Sequence, residues 1–202
     1  MRRIVLAAAL AAPLLASANL VTNGSFEADA QAASSWSIYP ALTGWTGAPD
    51  IELRNNVAGA AYDGVNFVEL DTNFNSEMSQ SIGTSLGQQY TLSFAYSPRE
   101  GVSSASNGIE VFWNSVSQGI FTGNGAGSGN VWGLQSLTVT GAAASSLLSF
   151  RAVGISDSYG GSLDAVSVTA VPEPETYALM LAGLALMGCF VSRRHARQDP
   201  TD

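Results

Sequence analysis

The 202-residue chain carries eight arginines and no lysine against sixteen Asp and Glu, a formal net charge of −8 at pH 7. A surplus of that sign repels nucleic acid and anionic surfaces and attracts cations, calcium among them. The one cysteine, Cys189, and the one histidine, His195, lie near the C-terminus. The rest of the chain therefore has no disulfide, Ser-His-Asp triad, Cys-His nucleophile, Schiff-base lysine or His/Cys zinc site.

Residues 1–18 read as a secretory signal peptide. Arg2 and Arg3 form the charged start, 4–15 the apolar core, and Ala16-Ser17-Ala18 an A-x-A cleavage site. The exported part is then 19–170, with twelve carboxylates, three arginines (Arg54, Arg99, Arg151) and a net charge of −9. Its length suffices for one domain with a sizeable core. Without a disulfide in an oxidising compartment, its stability must come from packing or a bound metal.

The periodicity of this domain is β throughout. Tyr90, Leu92, Phe94 and Tyr96 alternate with Thr91, Ser93, Ala95 and Ser97, and Ile109, Val111 and Trp113 alternate likewise. Strands are expected over 50–54, 65–70, 90–97, 109–113, 135–140, 147–153 and 163–169. Turn formers separate them, including Asp63-Gly64, Gly87, Asn107-Gly108, Gly141 and Gly160-Gly161. The glycine-rich 119–133 reads as a flexible hairpin loop, since no Walker lysine follows it. No amphipathic helix of ten or more residues precedes the tail. The fold class is all-β, a jelly-roll β-sandwich.

Within this domain the candidate sugar-stacking aromatics are Trp36, Tyr39 and Trp45, in an early stretch where loops are expected; Trp113 ends a patterned strand and is assigned to the core. Catalysis, if any, would rest on paired carboxylates. Asp50 with Glu52, and Glu69 with Asp71, each share one face of a strand. Nothing in the sequence indicates the burial or asymmetry a glycosidase needs, so the chain is read as a non-enzyme. The stretch 71–77 fails as an EF-hand: its sixth position is Ser76 rather than glycine, and its twelfth is Ile82 rather than glutamate.

The end of the chain has three parts. Val171-Pro172-Glu173-Pro174 opens a stiff, acidic, extended segment, because each proline fixes its own φ. Residues 176–191 follow without a charge, a run of roughly 24 Å as a helix, at the short end for crossing a bilayer. Arg193, Arg194 and Arg197 then form a basic cluster, expected on the cytoplasmic side, ahead of a short tail at 198–202. A single transmembrane helix over about 176–191 is the expectation.

These residues, 171–197, resemble the PEP-CTERM sorting domain of Gram-negative bacteria. The resemblance implies an exosortase-type processing enzyme as partner, a membrane-anchored precursor, and a final place at the cell surface or in an exopolysaccharide or biofilm matrix. The opening Asn19-Leu20-Val21-Thr22-Asn23-Gly24-Ser25-Phe26-Glu27, parts of 62–94, and the closing Leu163-Asp164-Ala165-Val166-Ser167-Val168 resemble galactose-binding-like jelly rolls, which include many carbohydrate-binding modules. That resemblance implies adjacent first and last strands, with Glu27 and Asp164 holding a structural calcium. The expected function is non-catalytic polysaccharide binding. The alternatives are a structural matrix protein without a small ligand, and a carboxylate-dependent glycoside hydrolase.

Overall fold

The computed structural model describes residues 18–125, 127–172, 181–185 and 187. Among the described residues ten strands run in chain order: β1 (Ser35–Leu42), β2 (Trp45–Asn55), β3 (Asn66–Glu69), β4 (Glu77–Gly83), β5 (Gln89–Ser97), β6 (Gly108–Trp113), β7 (Val116–Phe121), β8 (Gly133–Thr140), β9 (Ser145–Val153) and β10 (Ser162–Ala170). The hydrogen-bonded order is β7-β6-β9-β4-β2-β3-β10-β5-β8, with β1 paired to β2, and every pairing is antiparallel. This is the all-β sandwich expected from the strand-and-turn pattern.

Strand β2 joins the two layers. Its Thr46–Ala48 portion pairs with Glu77–Ser79 of β4, and its Glu52–Asn55 portion pairs with Asn66–Glu69 of β3. One layer is therefore β7-β6-β9-β4 with the start of β2. The other is the end of β2 with β3-β10-β5-β8. The core between them is lined by alternate residues, such as Met78 and Ile82 of β4 and Leu92 and Phe94 of β5. An aromatic chain crosses it, with centroid separations of 6.0 Å (Phe26–Trp45), 6.2 Å (Trp45–Phe150), 5.2 Å (Phe94–Phe150) and 5.0 Å (Phe94–Phe121).

Three differences from the sequence reading bear on the site. The early stretch is not loop: it forms β1 and most of β2, so its aromatics point to alternate faces. The opening segment 19–27 is a run of turns instead of a strand, with Asn23 at φ 54° and Phe26 at φ 60°. It still lies along the last strand, as the jelly-roll resemblance implies, through Leu20 N–H to Val168 O at 2.8 Å and Val166 N–H to Gly24 O at 2.9 Å. The signal peptide falls almost wholly outside the described residues, as does most of the expected 176–191 helix. Among the described residues no helix is long and apolar enough to cross a membrane.

Phe150 touches both Trp45 and Phe94, so its removal opens a cavity at the centre of the aromatic chain. Phe150→Ala is expected to cost about 3–5 kcal/mol. Urea unfolding should show this as a lower midpoint with an unchanged slope.

Candidate functional site

The second layer has an unusual outer face. Register places Glu52 opposite Glu69, Glu69 opposite Ser162, and Ser162 opposite Ser97, all on the side away from Leu53, Val68 and Leu163. That side would ordinarily meet water, yet every residue of β3 is buried, and so are Glu52, Arg54, Ser97, Ser162 and Asp164. Loops cover it. Trp132 packs edge-on against Phe67 and Tyr62, and its indole N–H donates to Ala60 O at 2.9 Å.

Beneath those loops lies a charged cluster. Arg54 Nε donates to Glu52 Oε1 at 2.6 Å, and Arg54 Nη2 bonds Glu69 Oε2. Arg99 Nη1 reaches the same Glu69 oxygen at 3.0 Å, while Gly160 N–H donates to Glu69 Oε1 at 2.6 Å. Burial pushes the Glu69 carboxyl up, against the downward pull of Arg54 and Arg99. Arg54 Nη1 is buried without a protein partner. Arg99 also lies 4.5 Å over the Tyr159 ring, a cation–π contact.

Above the cluster opens a cleft of about 340 Å³. Its walls are Trp36 and Ile38 of β1, Val57, Thr72 and Asn73, and Ser158 and Tyr159; Glu52, Arg54 and Arg99 form its charged lining. Trp36 and Tyr159 are half exposed, at 52% and 51%, so both rings are available to a ligand. The β1–β2 register explains the wall, since Trp36 pairs with Arg54 and Ile38 with Glu52.

The predicted aromatics meet three fates. Trp36 lines the cleft. Tyr39, three residues on, sits on the opposite face of β1 opposite Ile51, packs against the core, and donates its hydroxyl to Gln31 Oε1 at 3.1 Å. Trp45 is 2% exposed, stacks in the core and donates its indole N–H to Asn23 O at 3.1 Å, so it is not a binding aromatic. Trp113 is core, as assigned.

The acids also rearrange. Paired along one strand in the sequence reading, they meet instead across strands, Glu52 with Glu69, bridged by Arg54. Asp71 is fully buried; it accepts Asp157 N–H at 2.9 Å and the Ser156 hydroxyl at 3.1 Å. The sequence missed Arg54, Arg99 and Tyr159. For Arg54 a usable signal was present: it is one of only three arginines among twelve acids and stands two residues from Glu52, on the same face of an expected strand.

Glu27 and Asp164 do converge, but on one loop. Glu27 Oε1 accepts N–H bonds from Val65 (2.8 Å) and Asn66 (2.7 Å), while Asp164 Oδ2 accepts from Tyr62 (2.8 Å) and Asp63 (2.9 Å). Asp164 Oδ1 accepts from Ala165 at 2.6 Å. Among the described residues no group of three or more His, Cys, Asp or Glu is placed to hold a metal. The two carboxylates thus anchor the loop at 62–66 to the opening segment and to the last strand.

The chain carries a PEP-CTERM protein-sorting motif at 170–197, which marks an exported protein sorted through an exosortase. Val171, Pro172, Glu173 and Pro174 and the cluster Arg193, Arg194 and Arg197 all fall in it; of these, only Val171 and Pro172 are among the described residues. Two curated proteins are similar in sequence, both named multifunctional-autoprocessing repeats-in-toxin. That of Vibrio cholerae serotype O1 is 28% identical over 189 residues, covering 90% of this chain. That of Vibrio vulnificus is 30% identical over 154 residues, covering 73%. The chain spans about 3% of the length of either. In fold it is similar to a cyclase from Fischerella sp. TAU, with a TM-score of 0.56, 14% identity, and coverage of 78% of this chain and 98% of that one. A family 35 carbohydrate binding module from Clostridium thermocellum has a TM-score of 0.47 at 16% identity, covering 68% and 99%.

Two outcomes follow from the carboxylate anchors. Glu27→Ala, which frees the N–H groups of exposed Val65 and buried Asn66, should lower the melting temperature of the protein by the equivalent of about 1 kcal/mol. Burial raises the Asp164 carboxyl from 3.8 to about 7, against the N–H bonds of Asp63, Ala165 and Tyr62. The folded state thus keeps this proton where the unfolded chain has lost it. Its contribution to stability declines as pH rises from about 4 to about 7 and is flat on either side. In urea unfolding across that range, wild type should lose stability relative to Asp164→Asn.

Proposed function

We propose that this protein is a non-catalytic surface or matrix component of a Gram-negative bacterium whose β-sandwich binds polysaccharide in the Trp36–Tyr159 cleft. The observation that carries this reading is the pairing of two half-exposed rings with a fixed charged lining. Flat apolar rings suit the C–H faces of sugars, and the guanidinium and carboxylate groups of Arg54, Arg99 and Glu52 suit hydroxyls. All three groups are held by one another or by Glu69, so little ordering is needed on binding. The sorting motif supports the compartment, since it marks an exported protein.

A glycoside hydrolase is the second reading, and one observation favours it: Glu69 has the raised pKa of a general acid and a second carboxyl, Glu52, across the strand. Both Glu69 oxygens are taken, however, one by Gly160 and the other by two arginines, and Glu69 does not line the cleft. A proton donor must reach the leaving oxygen, and this one cannot without dismantling the cluster.

Affinity electrophoresis through gels containing neutral and acidic polysaccharides tests the proposal, followed by calorimetry on any that retards the protein. Trp36→Ala should weaken binding about tenfold, or about 1.4 kcal/mol, without lowering the melting temperature. Unretarded migration in every polysaccharide would remove the binding role. Release of reducing ends by wild type, lost in Glu52→Gln, would replace it with hydrolysis.

A further inference from the structure

The two ends of the sandwich differ in charge. Opposite the cleft lie the β4–β5 turn (84–88), the β8–β9 turn (141–144) and the β6–β7 turn at Asn114-Ser115. No charged residue occurs between Met78 and Pro98, or between Val111 and Phe150, the two stretches that supply this end. In a domain of net charge −9, that leaves the turns of this end neutral; Glu173 and Glu175, in the tether that follows, adjoin the uncharged run 176–191 whichever end faces the membrane.

This end is tightly bonded. Gly87 N–H donates to Gly141 O at 2.8 Å, Gly141 N–H to Gln88 O at 2.9 Å, and Thr84 N–H to Ala144 O at 3.0 Å. A Cβ at Gly141 would stand 2.3 Å from Ser85 O, so the two turns touch backbone to backbone. Asn114 joins them through Leu147 N–H to Asn114 Oδ1 at 2.9 Å. The surface so fixed is apolar: Leu86 is 80% exposed, Val116 62% and Leu147 42%, and Ala142, Ala143 and Ala144 are exposed beside them.

The sorting motif leaves the domain here. Strand β10 runs from Ser162, beside Glu69, to Ala170, roughly 26 Å at the usual strand rise. Val171 is then pinned, its N–H donating to Gln89 O at 2.9 Å and its carbonyl accepting from Gln88 Nε2 at 2.7 Å. Only 172–175 separate this point from the uncharged run 176–191. Within that run Leu181 and Met187 are exposed, 62% and 61%, not packed on the sandwich.

We infer that the neutral end, with Leu86 and Val116 at its surface, is a membrane-facing surface that rests on the lipid bilayer into which the sorting segment inserts. Exposed apolar side chains also occur at the cleft end, Phe74 among them at 67%, so hydrophobicity alone does not choose. The short tether and the absence of charge do. Acidic groups within a Debye length of anionic headgroups, about 8–10 Å, are repelled. A neutral apolar end is not, and its leucine and valine gain by burial at the interface. The cleft then points away from the bilayer. This inference does not depend on what the cleft binds.

The test uses the full chain with Cys189→Ser and one new cysteine, at Leu86, Val116 or Phe74, carrying a bimane label. Each is reconstituted with vesicles of phosphatidylethanolamine and phosphatidylglycerol containing brominated acyl chains. Leu86→Cys and Val116→Cys labels should be quenched several-fold more than the Phe74→Cys label. Equal quenching at the two ends, stronger quenching at Phe74→Cys, or failure of the chain to associate with the vesicles would overturn the assignment.

Discussion

Glu69 has no exposed surface, and the structure around the cleft follows from that. Moving a carboxylate from water into a protein interior costs several kcal/mol unless its oxygens are matched by donors. The donors come from three separate segments: Arg54 from β2, Arg99 from the turn after β5, and Gly160 from the loop entering β10. One buried group thereby draws three pieces of chain to a point. Once Arg54 is committed to Glu52 and Glu69, and Arg99 to Glu69 and the Tyr159 ring, a charged lining remains that the loops do not close over. The cleft is the gap left by satisfying Glu69.

The same solution recurs with backbone in place of arginine. A domain with twelve carboxylates, three arginines, and no lysine or histidine must stabilise buried acids with N–H groups. Asp71 holds the loop at 156–157, Asp29 accepts the Thr43 N–H and hydroxyl, and Glu27 and Asp164 share the loop at 62–66. Close approach of carboxyl to backbone leaves no room for side chains. A Cβ at Gly64, where φ is +70°, would lie 2.4 Å from Glu27 Oε1, and one at Gly160 would lie 2.8 Å from Asp71 Cβ. At Gly64 and Gly160, then, a carboxylate residue organises a loop that glycine passes most easily.

Strands were legible where one face alone is buried. The alternation in 90–97 and 109–113 maps onto β5 and β6 because Leu92, Phe94, Ile109 and Val111 enter the core while Thr91, Ser93, Glu110 and Phe112 stay half-buried. Strands β1 and β7 lacked that contrast, since both are exposed or half-buried over most of their length. β4 carried the alternation, but Gln80 interrupts it; that side chain is buried to bond both the N–H and the carbonyl of Thr22. The site was less legible for a topological reason. Glu52 and Glu69 are seventeen positions apart and meet only because β2 pairs β3 in one register. Trp36, Tyr39 and Trp45 look equivalent in sequence, and only their strand phase separates a cleft wall from two core positions. The sorting motif is contiguous and needed no fold to be read.

The distribution of arginine says most about what the cleft can hold. Two of the three arginines in the domain lie at it, each against a carboxylate. The third, Arg151, is on the surface, paired with Glu77 at 2.7 Å and lying over Phe112. At the cleft two arginines thus balance two carboxylates, Glu52 and Glu69. Because Arg54 and Arg99 are already engaged by Glu52 and Glu69, the site offers oriented dipoles instead of a free charge. Under the proposed reading, recognition there rests on the fit of hydroxyls to fixed donors and acceptors and of ring faces to Trp36 and Tyr159. That form of binding depends weakly on ionic strength, which suits a domain working outside the cell.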